Sequence, residues 1–184
     1  PYQINNKDVE VAWKDNQIVQ RSCGKFRREW ETSSMKHKNY TPENYPVLRY
    51  SDVLLMQAEA ENEANNGPTD KAYKAINTVR ERAGLEALKN LDYTTFQQEV
   101  RDERARELCF ESLRKYDLVR WGIYVDAIHN KLGAATATKR WAPDNNFLGA
   151  AAYANNTTEK HQFLPIPSRE LSVNTKLQQN KFWK

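Results

Sequence analysis

At 184 residues, with 39% apolar residues, 28% charged residues and a net charge of +4, the chain has the make-up of an ordinary globular protein with one core of useful size. No stretch approaches the roughly 18 consecutive apolar residues that a membrane-crossing helix needs. No signal peptide is present, and the start at Pro1-Tyr2-Gln3 without Met suggests a piece of a longer or processed chain whose export signal would lie upstream. The charge excess matches residues 14 to 38, where seven Lys or Arg stand against three acids. Such a strip suits a polyanion, but no nucleic-acid motif accompanies it, and nucleic acid is not expected as a partner.

Residues 1–45 read as irregular with short strands, because Val9, Val11 and Trp13 alternate at period two, as do Phe26, Arg28 and Trp30. Residues 46–130 read as a helical core. Val47, Tyr50, Leu54, Leu55 and Ala58 mark one apolar helix face, with Gln57, Glu59, Glu61 and Glu63 outside, and Asn65-Asn66-Gly67-Pro68 stops it. Ala72, Ala75, Ile76, Val79 and Ala83 form a second stripe, capped by Thr69 or Gly67 and ended by Gly84. The short connection makes the two an antiparallel hairpin, and the alanines permit the close approach of tetratricopeptide-type pairs. A third helix is expected from a capping box of Thr94 and Gln97, through Phe96, Val100, Leu108 and Phe110. Leu118, Trp121, Tyr124, Val125 and Ile128 give a fourth stripe, with Trp121 in the core. Residues 131–162 lose periodicity and read as a long loop, and 163–184 as a closing segment with an extended start and one turn of helix.

The two cysteines, Cys23 and Cys109, lie far apart, with no CxxC pair; neither a disulfide framework nor a zinc site is expected, and Cys109 reads as a small core residue. The least ordinary feature is a row of acids. Glu103 and Glu107 share the side of Phe96, Val100 and Phe110, with Glu111 beside them. Unpaired buried charge is costly, so partners are required. A carboxylate metal site would need Glu-x-x-His partners, and His37, His129 and His161 do not supply them. No metal is expected. Instead Glu103, Glu107 and Glu111 are expected in a structural ion-pair network with Arg80, Arg104 and Arg114, whose planar forks match carboxylates. No nucleophile elbow, phosphate loop or metal-spaced His pair is present, so no catalytic residue, enzyme activity or cofactor is expected.

These residues also carry a family likeness. Tyr45-Pro46-Val47-Leu48-Arg49-Tyr50-Ser51-Asp52-Val53-Leu54-Leu55-Met56 with Ala58-Glu59-Ala60 resembles the first block of SusD/RagB proteins, and Ile76-Asn77-Thr78-Val79-Arg80-Glu81-Arg82-Ala83-Gly84 the second. Glu103 to Leu108, Phe110-Glu111 and Arg114 through Asp117-Leu118 to Arg120-Trp121 resemble the third. Leu164-Pro165-Ile166-Pro167 with Glu170, Asn174 and Asn180 resembles the last, and Gly24-Lys25-Phe26-Arg27-Arg28-Glu29 is a weaker opening match. Two departures stand out: Ser112 and Leu113 replace the family's Gly and aromatic or His, and Asn180-Lys181-Phe182-Trp183 replaces Asn-Pro-Gly-Tyr.

The resemblance implies the C-terminal part of a mostly α-helical protein with tetratricopeptide-like hairpins, irregular loops and a few short strands. It further implies a lipid-anchored, non-enzymatic protein on the outer-membrane surface of Bacteroidota, binding an oligosaccharide, or in some members a peptide, above a SusC-like TonB-dependent transporter. A scaffold without ligand affinity is the alternative. Glycan sites pair aromatic platforms with polar groups, which makes Trp141 with Asp144 and Asn146 the local candidates, followed by Trp13 and Tyr40.

Overall fold

The computed structural model describes residues 2–4, 10–12, 23–26, 31–32, 39–133 and 152–184. They fall into two compact units, one of residues 23–114 and one of residues 1–22 with 115–184.

The unit of residues 23–114 is built on three helices, α1 (Tyr50–Asn65), α2 (Asp70–Arg82) and α3 (Tyr93–Glu107). Asn66, left-handed at φ 50°, closes α1, and the Gly67 N–H returns to the Asn62 carbonyl at 3.1 Å. Thr69 caps α2, its hydroxyl accepting from the Ala72 N–H at 3.2 Å. The four residues between them fold α1 and α2 into an antiparallel hairpin, and α3 packs chiefly on α1. Leu54, Leu55, Ala58, Ala72, Ala75, Ile76, Val79, Phe96 and Val100 form the core. Phe96 is fully buried and meets the Tyr73 ring edge-on at 5.1 Å. Asn77 clamps the connector after α2 by pairing with both the N–H (2.8 Å) and the carbonyl (3.0 Å) of Leu88, as a neighbouring strand would.

Several expectations are corrected. The first helix begins at Tyr50, and Val47 (85% exposed) and Tyr50 (72%) lie outside the core. The inner face of α1 carries Asp52, Glu59 and Asn62 beside Leu54, Leu55 and Ala58, so Glu59 is buried rather than outward. Ala83 is exposed. The cap of α3 is Asp92, not Thr94: its carboxylate accepts from the Thr95 N–H at 2.8 Å, a bond that holds this acid below its ordinary range. Phe110 and Cys109 are both exposed, because α3 stops at Glu107 and the chain turns away.

That turn uses two left-handed residues, Phe110 (φ 64°) and Ser112 (φ 62°). An L side chain costs about 1–2 kcal/mol in this region, while glycine costs about 0.5–1 kcal/mol in lost chain freedom. Ser112 stands where the resembled family carries Gly. Ser112→Gly is therefore expected to raise stability by about 0.5–1 kcal/mol, read as a shifted midpoint in urea unfolding. An unchanged or lower midpoint would show that the Ser112 backbone is unstrained.

In the other unit, β1 (Tyr2–Ile4) pairs antiparallel with β2 (Glu10–Ala12), Tyr2 opposite Ala12. Of the alternating residues expected here Val11 lies in β2, while Val9, Trp13, Arg28 and Trp30 lie outside the described residues; Phe26 sits in a bend, not a strand. Helix α4 (Arg114–Arg120) is followed by Gly122 at φ +69° and by α5 (Tyr124–Ala127), which runs into a π-helical turn, Ile128–Gly133. Leu118 and Tyr124 are buried. Trp121 is only half-buried, under the Arg120 guanidinium at 4.8 Å, rather than in the core. Tyr124 shares a 2.5 Å hydroxyl contact with Tyr153, and burial together with that contact pushes its hydroxyl up to about 12. It is a neutral hydrogen-bonding group at physiological pH.

Within the stretch expected to be loop, residues 152–156 are helical and Glu159–Gln162 form a 3-10 turn. Helix α6 (Ser168–Val173) and a final 3-10 turn, Lys181–Trp183, close the chain. The side chains of the last block satisfy backbone. Gln179 pairs with both the N–H and the carbonyl of Ile166 (2.8 and 2.9 Å), and Asn180 donates to the Leu164 carbonyl at 2.6 Å. The Trp183 indole N–H is shared between the carbonyls of Lys160 and Phe163, at 3.1 and 3.0 Å.

Candidate functional site

One turn of α3 separates Glu103 from Glu107, and the left-handed turn after the helix brings Glu111 back beside Glu107. All three side chains are almost fully enclosed, at 2%, 9% and 4% exposure. Each carboxylate is met by cations from other segments. Arg49, immediately before α1, donates through Nη1 to Glu107 Oε1 and through Nε to Glu111 Oε2, both at 2.7 Å. The second oxygen of Glu107 accepts from Arg82 at the end of α2, and that of Glu111 from Lys25. Glu103 Oε2 accepts from Arg80 (3.0 Å) and Arg106 (2.9 Å). Closer to the core, Arg104 pairs with Asp52 of α1 at 2.8 Å, both buried.

The same cations finish the helix. The carbonyl of Glu107, left without an intrahelical partner at the end of α3, accepts from Lys25 Nζ (2.6 Å) and Arg49 Nη2 (2.8 Å). The Tyr45 hydroxyl donates to the Glu111 carbonyl at 2.5 Å. Positive charge at a helix C-terminus is also favoured by the helix dipole. Three segments, 23–26, 45–49 and 107–111, are thereby fastened at one point.

Burial alone pushes the Glu107 and Glu111 carboxyls up, but hydrogen bonds and charge from Arg49, with Arg82 on Glu107 and Lys25 on Glu111, outweigh it. Both end below the ordinary value of 4.5. Proton-transfer groups work best with a pKa near the operating pH, and these two are moved the other way. Their chemistry is that of fixed anions bridging fixed cations. Among the described residues, no group of three or more His, Cys, Asp or Glu is placed to hold a metal ion.

Of the residues expected in the network, Arg80 meets Glu103, Arg104 meets Asp52, and Arg114 donates to the Arg101 carbonyl at 3.1 Å. Arg82, on the same helix as Arg80 and a candidate for the same reason, meets Glu107, whereas sequence reasoning missed Arg49, Lys25, Tyr45 and Asp52. A signal existed for two of them: Asp52 lies four residues before Met56 in a largely apolar run, and Arg49 precedes that run directly. Trp13, Trp141, Asp144 and Asn146 lie outside the described residues. Tyr40 is 74% exposed.

The described part is thus a helical protein of the tetratricopeptide-like class, its hairpin pinned to a third helix through buried ion pairs. A model of the SusD family matches residues 3–183, and the chain belongs to that family. SusD-like protein P25 of Formosa agariphila is 40% identical over 136 residues, which is 72% of this chain and 23% of that protein. Starch-binding protein SusD of Bacteroides thetaiotaomicron is 27% identical over 150 residues, 82% of this chain and 23% of that one. The crystal structure of a SusD homolog from Bacteroides thetaiotaomicron is similar with a TM-score of 0.68 and 37% identity, covering 83% of this chain and 30% of that chain. A SusD superfamily protein from Parabacteroides distasonis gives a TM-score of 0.54 at 32% identity, over 73% and 26%. The chain spans about a quarter of the length of the curated relatives it matches (23%, 25% and 23%).

Proposed function

We propose that the chain is part of a lipid-anchored, cell-surface protein of the outer membrane that binds oligosaccharide and hands it, without chemical turnover, to a SusC-like TonB-dependent transporter. The observation that carries this reading is the similarity to starch-binding protein SusD across 82% of the chain, within a family match that covers nearly all of it. The buried ion pairs suit a framework role, since such pairs fix geometry more than they add stability. Contact with sugar falls to aromatic and polar groups, on their residue types: Trp141 with Asp144 and Asn146, then Trp13 and Tyr40.

A glycan array with the full-length protein, followed by calorimetry, tests the reading. Saturable binding to one glycan class is expected, and Trp141→Ala is expected to weaken it about tenfold, the loss of one stacked sugar face. Undiminished binding would move the site away from Trp141. Binding of peptides but no glycan would favour a peptide-binding member of the family. Co-purification with the transporter in the absence of any ligand affinity would favour a scaffold.

A further inference from the structure

Beside the ion pairs, the unit of residues 23–114 has a pocket of about 360 Å³ whose walls include Lys25, Phe26, Pro46, Arg49, Arg82 and Arg106. Two buried carboxylates, Glu107 and Glu111, complete it, and all four of their oxygens already accept from cations. Four cations thus line the pocket beside two neutralised acids, Arg106 being paired with Glu103 outside it. Arg82 and Arg106 are the important pair. Each is half-exposed (56% and 51%) and each engages carboxylate oxygens through Nη2 alone: Arg82 with Glu107, Arg106 with Glu103 and, at 4.0 Å, Glu99. A guanidinium carries five N–H donors in a planar fork, so both retain donors fit for two-point contact with an oxyanion. One wall is apolar: Phe26 stacks on Tyr45 at 5.9 Å, next to Pro46, and Phe26 is 40% exposed.

We propose that this pocket is a subsite for an acidic sugar, the carboxylate or sulfate lying against Arg82 and Arg106 and the ring face against Phe26 and Pro46. The shared chemistry is an oxyanion on a ring with an apolar face. The subsite extends the oligosaccharide reading to a charged glycan class but stands on its own geometry, apart from Trp141.

The test uses the full-length protein and three probes: glucuronic acid, glucose 6-sulfate and glucose. Arginine Nε–Hε signals in nuclear magnetic resonance report the site directly. Glucuronic acid or glucose 6-sulfate is expected to shift the Arg82 and Arg106 signals saturably while glucose does not, and the two acids separate carboxylate from sulfate preference. Arg106→Gln is the cleaner variant, because Glu103 keeps Arg80. It is expected to weaken binding of the acidic probe about tenfold, with the remaining affinity less sensitive to salt. Arg82→Gln serves as the second variant. No shift with either acid, or equal shifts with glucose, would overturn the proposal. Shifts here with no glycan captured on the array would leave the subsite standing and overturn the uptake reading instead.

Discussion

Arg49→Met in the full-length protein is expected to lower the unfolding free energy by about 3–5 kcal/mol, the range for breaking a buried ion pair by removing one partner. The substitution keeps the chain's bulk but leaves Glu111 with Lys25 and Glu107 with Arg82 alone, both deprived of the mostly buried guanidinium they share. Urea unfolding measures the loss, and a change below about 1 kcal/mol, the worth of an exposed pair, would show that solvent already screens the site. Adding Glu107→Gln and Glu111→Gln to the variant should recover part of the loss, since neutral amides cost less to bury unpaired.

The same pairs set an acid limb. Both carboxyls lie below 4.5 in the folded chain, so the unfolded state binds their protons first as pH falls. Their stabilisation is fully present above the unfolded value and drains away as pH falls through the depressed folded values. In Arg49→Met this limb should flatten, and a variant with an unchanged acid profile would place the depression elsewhere.

Phe96→Ala is expected to cost about 3–5 kcal/mol, the range for an aromatic truncated in a packed core. Among the described residues Phe96 is the largest fully buried side chain, it joins α3 to the hairpin, and its removal also ends the contact with Tyr73. Phe96→Leu should recover most of the loss. If Phe96→Ala were near-neutral by urea unfolding, the three helices would not share one core.

The contrast between α1 and α2 explains how much of this was legible. On α2 the buried residues are Ala72, Ala75, Ile76 and Val79 and the remainder is polar, so periodicity alone picks the inner face. Helix α1 is apolar on more than one side. Val53 (41% exposed) and Met56 (42%) point outward while Asp52 and Glu59 point inward, and a hydrophobicity pattern cannot choose between faces in that case. The acid row on α3 was readable because charge on an apolar stripe demands partners. Arg80 on the neighbouring helix was readable too, but Arg49 and Lys25 were not, because they come from 58 and 86 residues away. The early stop of α3 was hidden in the residues themselves: Phe110-Glu111-Ser112 holds no glycine, and only the resembled family's Gly at position 112 pointed to left-handed backbone.

The fastening of two distant segments to the end of α3 has a consequence for how such a chain varies in length. The connector after α2 is held at both ends, and lengthening a closed connector costs little: each doubling adds only about 0.6 kcal/mol. Insertions there leave the meeting point where it is. A single residue inserted between Glu107 and Glu111 would instead swing one carboxylate out of reach of Arg49, which holds both at once. Relatives of this chain are therefore free to drift in length upstream, while the four-residue step from Glu107 to Glu111 behaves as a fixed ruler.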